Sequence, residues 1–533
     1  MKRTVALILC LALLAGAFSG CARDSGGAYV PTGSGLTPED GTTPTQVSQE
    51  EKPEQLLTLA YYADRSLNPY QCTDYTNRTL FSLVYQGLFA VDRDYHVEPV
   101  LCGRYTVSED LMTYTFYPAD ATFSDGSRLT AGDIAASLQA ASESPWYSGR
   151  FTHVESIALT TGGGVTIRLN TAYENLPLLL DIPIVKVGHT EDEFPIGSGP
   201  YCFQRVSSGA QMKKVQDWWC KDRVKLPTNA ETIPLNEATS QSQVRDEFEF
   251  GDLDLAISNP MSDSYAEYRC DYELWEVENG IFLYVGCNVL WSEFFKDGRN
   301  EELRKTLTYA IDRQTIIDSY YRGRAHASTL PTSPGSPYYS ESLASRYEYD
   351  PLRFVSAIQN MYVPKNDKGQ PKKMLILVNC DDSARLRTAR FLAKQLTELG
   401  LETGTLEYGG STNTTYQQVL QAGSFDLYLG QTKLSANYDL SQFFKGWGNL
   451  GWGGIADNTL LNMCKEALAN SGNYYNLNKM VADDGKIIPV LFGYYEIYAE
   501  RGQLLDLAPS RDNVFFYSMG KTMESSRLAT EYG

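Results

Sequence analysis

Lys373–Gly430 reads KMLILVNCDDSARLRTARFLAKQLTELGLETGTLEYGGSTNTTYQQVLQAGSFDLYLG, and two periods alternate along it. Lys373 to Asn379 is a short apolar run of strand length. Ser383 to Leu399 carries apolar residues at helical spacing and is closed by Gly400. Leu401 to Leu406 returns to a strand pattern, Thr412 to Gln421 to a helical one ended by Gly423, and Phe425 to Gly430 is a third strand. Helices alternating with strands over connections this short demand crossovers, hence an α/β body with a largely parallel sheet.

Working outward, Asn300 to Arg322 places Leu303, Leu307, Ala310, Ile311 and Ile317 on one helical face, with Gly323 as the stop. Asp350-Pro351 supplies a cap and a first-turn proline for a helix through Met361. Helical patterns follow at Asp457 to Ala469 and Tyr474 to Asp483, and then Ile487 to Tyr498 forms a long apolar strand. On the N-terminal side, Leu56 to Ala63 predicts a strand stopped by Asn68-Pro69, and Tyr75 to Leu88 a helix. Tyr105 to Val107, Met112 to Tyr117 and Val165 to Leu169 are strand-like, the last entered from the turn Gly162-Gly163-Gly164. Between them Thr130 and Asp133 have the spacing of a capping box, and Pro145 ends the helix they start. Asp181 to Lys186 and Pro195 to Phe203 read as connecting loops. Ile233 to Leu235, Ser240 to Glu249 and Leu253 to Ile257 form a βαβ-like run.

The first twenty-one residues differ in kind. Lys2 and Arg3 precede an apolar stretch from Val5 to Leu14, too short to span a bilayer but suited to a secretory signal. Phe18-Ser19-Gly20-Cys21 is similar to a bacterial lipobox, with Cys21 as the lipidated residue; ordinary cleavage after Ala17 or Gly20 is the alternative. Ala22 to Gln55, rich in Gly, Ser, Thr, Pro and Glu, reads as a tether that would hold the folded body on the order of 30 Å from an anchor. The formal charge is −19, and −21 once Lys2 and Arg3 are removed with a leader. Such a surface repels phosphate backbones and argues against nucleic-acid binding. The eight remaining cysteines form no CxxC pair, which disfavours a zinc or redox motif and leaves disulfides and buried thiols both open.

Catalytic signatures are missing. His96, His153, His189 and His326 are isolated, and no HExxH, GxSxG or GxxxxGK[ST] occurs. His189-Thr190-Glu191-Asp192-Glu193 reads as an acidic loop rather than a metal site, so neither metal nor cofactor is expected. Thirty-six tyrosines and seven tryptophans are more suggestive. The loop Leu434 to Trp452 mixes aromatic residues with Gly and Asn, as the rim of an enclosed pocket does.

Several stretches together resemble family 5 of the bacterial extracellular solute-binding proteins, the oligopeptide, dipeptide and nickel group that serves ABC importers. They are SLNPY (66–70), LVYQGLFAVD (83–92), YTVSEDLMTYTFYPADATFSDGSRLTAGDI (105–134), PIGSGPY (195–201), LRKTLTYAIDRQTII (303–317) and KIIPVLF (486–492). The resemblance implies an α/β two-lobe clamshell of the class II periplasmic-binding-protein type, with an extra α+β subdomain inserted in the first lobe. Lobe I would comprise 56–72, 186–278 and 486–533, the subdomain 73–185 and lobe II 279–485, with hinges near Ile281 to Cys287 and Gly485 to Pro489. It further implies a monomeric, lipid-anchored receptor outside the cytoplasm that hands a peptide or similar small solute to the transmembrane subunits of an ABC permease. A sensor or adhesin with the same fold is the alternative; a secreted hydrolase is the third reading.

In peptide-binding members an aspartate of an A-D-Y stretch pairs with the ligand ammonium. Ala436-Asn437-Tyr438 matches it, so this chain has an amide there. A neutral hydrogen bond contributes about 0.5–1.5 kcal/mol against about 1.5–3 for a charge-assisted one, a loss of roughly tenfold in affinity. The expected ligand contacts are Asn437, Tyr438 and Asp439 as polar anchors, Trp447 and Tyr70 as walls, and Asn68 near the hinge.

Overall fold

The computed structural model describes residues 57–520 except 208, 263–264, 266, 411–414, 447–449 and 505. The leader, Cys21, the Ala22 to Gln55 segment and Trp447 therefore lie outside the described residues. No helix among the described residues is long and apolar enough to cross a membrane.

The βα alternation folds as its pattern dictates. Met374–Asn379 pairs in parallel with Thr403–Tyr408 on one side and with Leu427–Lys433 on the other. The helix Ser383–Glu398 starts where the Asp382 carboxylate accepts the Arg385 amide, satisfying a donor the helix cannot satisfy itself. Tyr416–Ala422 starts on a Thr415/Gln418 capping box and ends at Gly423, whose φ of 67° places it in the left-handed region.

These strands are one end of a larger sheet. Its described strands run in the order Thr403–Tyr408, Met374–Asn379, Leu427–Lys433, Glu273–Cys287, Ile487–Ala499, Leu255–Ser258, Leu59–Tyr61, Thr232–Glu237, Gly209–Lys214 and Tyr201–Val206. Leu59–Tyr61 lies parallel to both Thr232–Glu237 and Leu255–Ser258, the arrangement expected of the βαβ-like run. Two long central strands, Glu273–Cys287 and Ile487–Ala499, join the two halves. Ile487–Ala499 is buried along its entire length.

The two halves have separate cores. One cluster gathers Leu59, Leu80, Phe116, Ile134, Tyr201 and Phe515, so the inserted segments and the C-terminal segment share a core with the first sheet half. On the other half, one cluster holds Leu303, Ile376 and Leu392, and a second holds Tyr284, Tyr428 and Phe443. The inserted region also carries its own antiparallel sheet of Cys102–Val107, Thr113–Pro118, Val165–Leu169 and Val154–Leu159. The helix Ala131–Glu143 crosses it, started by the Thr130/Asp133 capping box.

The helix expected from Asn300 to Arg322 is broken. Glu301–Thr306 passes into a 3₁₀ turn at Leu307–Ala310, and a new helix, Arg313–Tyr320, begins where Asp312 caps Thr315. Arg313 stands at the break: it is buried and donates to the carbonyls of Thr308, Ser328 and Pro489. Burial lowers its guanidinium to about 10. Periodicity counts apolar residues and so misses an arginine that stitches three segments together.

No disulfide joins the described cysteines. Burial raises the thiols of Cys72, Cys102 and Cys287 to about 12, so at neutral pH they pack as small apolar groups.

Candidate functional site

The chain passes between the sheet halves where the ladder of Glu273–Cys287 and Ile487–Ala499 slips. Glu278 still pairs with Tyr494, but the next partners are Phe282 and Phe492. Gly280 occupies the slip at φ 71°, and a Cβ built there would stand 1.7 Å from Nη2 of Arg511. A side chain at 280 and the Arg511 guanidinium thus compete for one volume. Gly280 also accepts the Leu434 amide at 2.9 Å, which places the end of Leu427–Lys433 beside the crossing.

Charged and hydroxyl groups from both halves meet at this point. Arg511 donates to the Leu434 carbonyl and lies 3.7 Å from Glu278. Tyr438, held at φ 50°, donates to Glu278 and shares a 2.6 Å hydrogen bond with Tyr95. Asp512 accepts from Arg150 at 2.6 Å and from Lys433 at 3.0 Å, and Arg150 also pairs with Asp181. The Lys433 ammonium stands 3.8 Å from the centre of the Trp146 ring. Burial works against the Asp512 charge, yet Lys433, Arg150 and Arg511 together hold its carboxyl far below the usual range. Burial, with Arg511 and Arg78 nearby, lowers Lys433 to about 8 against the pull of Asp512. Its side chain keeps 29% of its surface, so water tempers that fall.

A cavity of about 160 Å³ opens among these groups. Tyr95, Trp275, Glu276, Glu278 and Arg511 line it from one half, Ala436 and His326 from the other. A wider groove of about 630 Å³ lies between the inserted segment and the second half, with Gly149, Thr152, Ser435 and Asp439 on its walls. Residues 96–453 match the family described as bacterial extracellular solute-binding proteins, family 5 Middle.

The chain belongs to this family.

Among curated relatives, the glutathione-binding protein GsiB of Salmonella paratyphi A is 24% identical over 356 residues, covering 63% of this chain and 66% of that one. The alignment thus spans just under two thirds of the relative's length. Of the solved structures, the ABC transporter substrate binding protein CtaP from Listeria monocytogenes superposes with a TM-score of 0.67 at 18% identity, covering 87% of this chain and 98% of that one. The oligopeptide-binding protein AppA from Bacillus subtilis, solved with a nonapeptide, gives 0.59 at 19% identity, covering 88% and 100%. Identities this low establish the shared fold, the family 5 clamshell of two lobes.

Against that fold the expected contacts sort unevenly. Asn437 is buried, its carbonyl accepts the Tyr474 hydroxyl, and its side-chain oxygen lies 3.4 Å from the Asp439 amide. Asp439 is spent on His153 Nε2 at 2.8 Å and Ser441 Oγ at 2.7 Å. Burial opposes its charge, but His153 and Ser441 hold its carboxyl below the usual aspartate value. Tyr438 sits at the crossing with its hydroxyl engaged on both sides. Tyr70 donates to the Pro183 carbonyl at 2.8 Å, and Asn68 accepts the Tyr70 amide at 2.9 Å while donating to Glu191. Neither Tyr70 nor Asn68 is among the residues that line the cavity. Trp447 lies outside the described residues.

The residues missed from sequence are Arg511, Glu278, Trp275, Tyr95 and Lys433. Arg511-Asp512 looks like any polar turn, and the local signal that would have served is Gly280 just before the apolar run Ile281 to Val285, a position that favours close backbone approach. His189 pairs with Asp192 at 2.7 Å, as an exposed acidic loop would allow. The group Asp92, Asp94 and His96 is accounted for by its turn, since the Asp92 carboxylate accepts both later amides and contacts the His96 ring.

Proposed function

We propose that this protein captures a small organic solute or peptide between its two lobes and delivers it to the transmembrane subunits of an ABC importer. The observation that carries the reading is a cavity walled by residues of both sheet halves, beside the two strands that join them. Binding there gains contacts from both lobes only when they are shut, so the solute itself favours closure. In this reading lobe I comprises 56–72, 186–278 and 486–533, the inserted subdomain 73–185, and lobe II 279–485. The ladder slip at 279–281 supports a hinge on the N-terminal side of Ile281 to Cys287. The role is one of binding rather than catalysis, consistent with the name of the family and of its relatives.

The protein acts outside the cytoplasm as a monomer, anchored through a lipid on Cys21. Mass spectrometry of the N-terminal residue of the mature chain checks the anchor. Capture is tested by thermal shift with pools of peptides, sugars and nickel chelates. A solute that binds only the folded state at 100 times its Kd adds about 2.7 kcal/mol of stability and must raise Tm. If no pool moves Tm, the capture role is wrong.

A further inference from the structure

The cavity beside Arg511 also identifies the chemistry it accepts, given the capture role just proposed. Arg511 keeps 10% of its side-chain surface, and its two terminal nitrogens are treated unequally. Nη2 donates to the Leu434 carbonyl, whereas Nη1 has no hydrogen-bond acceptor among the described residues. The nearest carboxylate oxygen, on Glu278, is 3.7 Å away and already accepts the Tyr438 hydroxyl. A buried cationic donor is costly to leave unmade, and a guanidinium prong fits a carboxylate.

The other walls limit what can carry that carboxylate. Glu276 and Glu278 line the same cavity, and Glu276 meets the Tyr494 hydroxyl but no cation among the described residues. A pure anion would meet both carboxylates; a molecule with an ammonium next to its carboxylate satisfies them, with Trp275 as an aromatic wall for the cation. Size adds a second limit. A cavity of about 150 Å³ holds a molecule the size of benzene, so about 160 Å³ holds roughly six to ten heavy atoms. That is the size of a single amino acid.

We propose that the cavity binds a single α-amino acid or an equally small zwitterion, its carboxylate on Nη1 of Arg511 and its ammonium facing Glu276 and Glu278. The test screens the full chain by thermal shift against each free L-amino acid, with trialanine, sucrose and the nickel–histidine complex as parallel arms. Calorimetry then compares the best amino acid with its amide and its N-acetyl derivative. A rise in Tm with at least one free amino acid, and at least tenfold weaker binding of both blocked forms, supports the proposal. Arg511→Lys should weaken the hit tenfold or more, because a point charge cannot replace the fork. In Arg511→Gln the acid and its amide should bind within threefold of each other. A hit confined to trialanine, sucrose or the nickel complex would overturn the proposal while leaving capture standing. An amide that binds as tightly as the acid would overturn it in the wild-type chain alone, whatever the variants' folding. No shift in any arm ends both readings.

Discussion

At residue 280 one missing methyl group decides what can stand in the crossing. A Cβ on Gly280 would meet Arg511 at 1.7 Å and the Leu434 carbonyl at 2.7 Å, at a positive φ. Gly126 has φ 83° but nothing within 4 Å of its Cβ position. Gly126→Ala should therefore cost only its backbone strain, about 1 kcal/mol, whereas Gly280→Ala adds displacement of Arg511 and should cost about 3 kcal/mol or more in urea unfolding. Asp254 illustrates a different residue-scale effect. It accepts the Thr58 amide at 2.5 Å, and burial together with Glu500 raises its carboxyl to about 6. A carboxyl raised in the folded state binds more protons there than in the unfolded chain, so its contribution is present at low pH and lost as pH rises through about 6. Asp254→Asn keeps the acceptor without the charge. Its Tm relative to wild type should rise between pH 4 and 7, and parallel pH curves for the two proteins would refute this.

For single elements, the short-range signals were the dependable ones. The helix Ala131–Glu143 begins where Thr130 and Asp133 cap each other, as their spacing predicted. Asp133 has a further partner that spacing cannot show: its other oxygen accepts the Val187 amide at 2.9 Å, tying the helix to the segment that leaves the inserted region. Thr130→Ala should cost about 1 kcal/mol, the usual value of a cap. Asp133→Ala strands buried donors on two segments and should cost about 2 kcal/mol or more, measured by thermal unfolding of the same preparation. The Asn300 to Arg322 stretch marks the opposite limit. Its apolar spacing is helical throughout, but a tertiary bond set around Arg313 outweighs the propensity of one turn.

Across the whole molecule, the two central strands join halves with separate cores, and buried charged contacts add to that tie. Asp512 from the C-terminal segment holds Arg150 and Lys433 at once. Asp439 reaches across the wider groove to the His153 ring at 2.8 Å. Removing one member of a buried charge set leaves the others uncompensated, typically at about 3–5 kcal/mol. Asp512→Asn should lose stability of that order and show a larger radius of gyration in solution scattering at pH 7. The Asp512 carboxyl is depressed, so its contribution is present above the ordinary aspartate value and disappears as pH falls well below it. Wild type should therefore expand only in strong acid, and equal radii for wild type and variant at pH 7 would contradict the tie.

The sequence by itself determined the α/β class, the parallel unit of Met374–Asn379, Thr403–Tyr408 and Leu427–Lys433, the helix caps at Thr130 and Asp350, and the family resemblance. These follow from periodicity and capping, which depend on neighbours within a few positions. Through that resemblance it also pointed to Asn437, Tyr438 and Asp439 as ligand contacts. The tertiary structure alone decided that Asp439 meets His153, that Tyr70 and Asn68 stand outside the lining of the cavity, and that Arg511 lines it with Glu276 and Glu278. Those outcomes depend on which distant segments meet across the slipped ladder at Gly280, and partners separated by tens to hundreds of residues leave no local pattern to read.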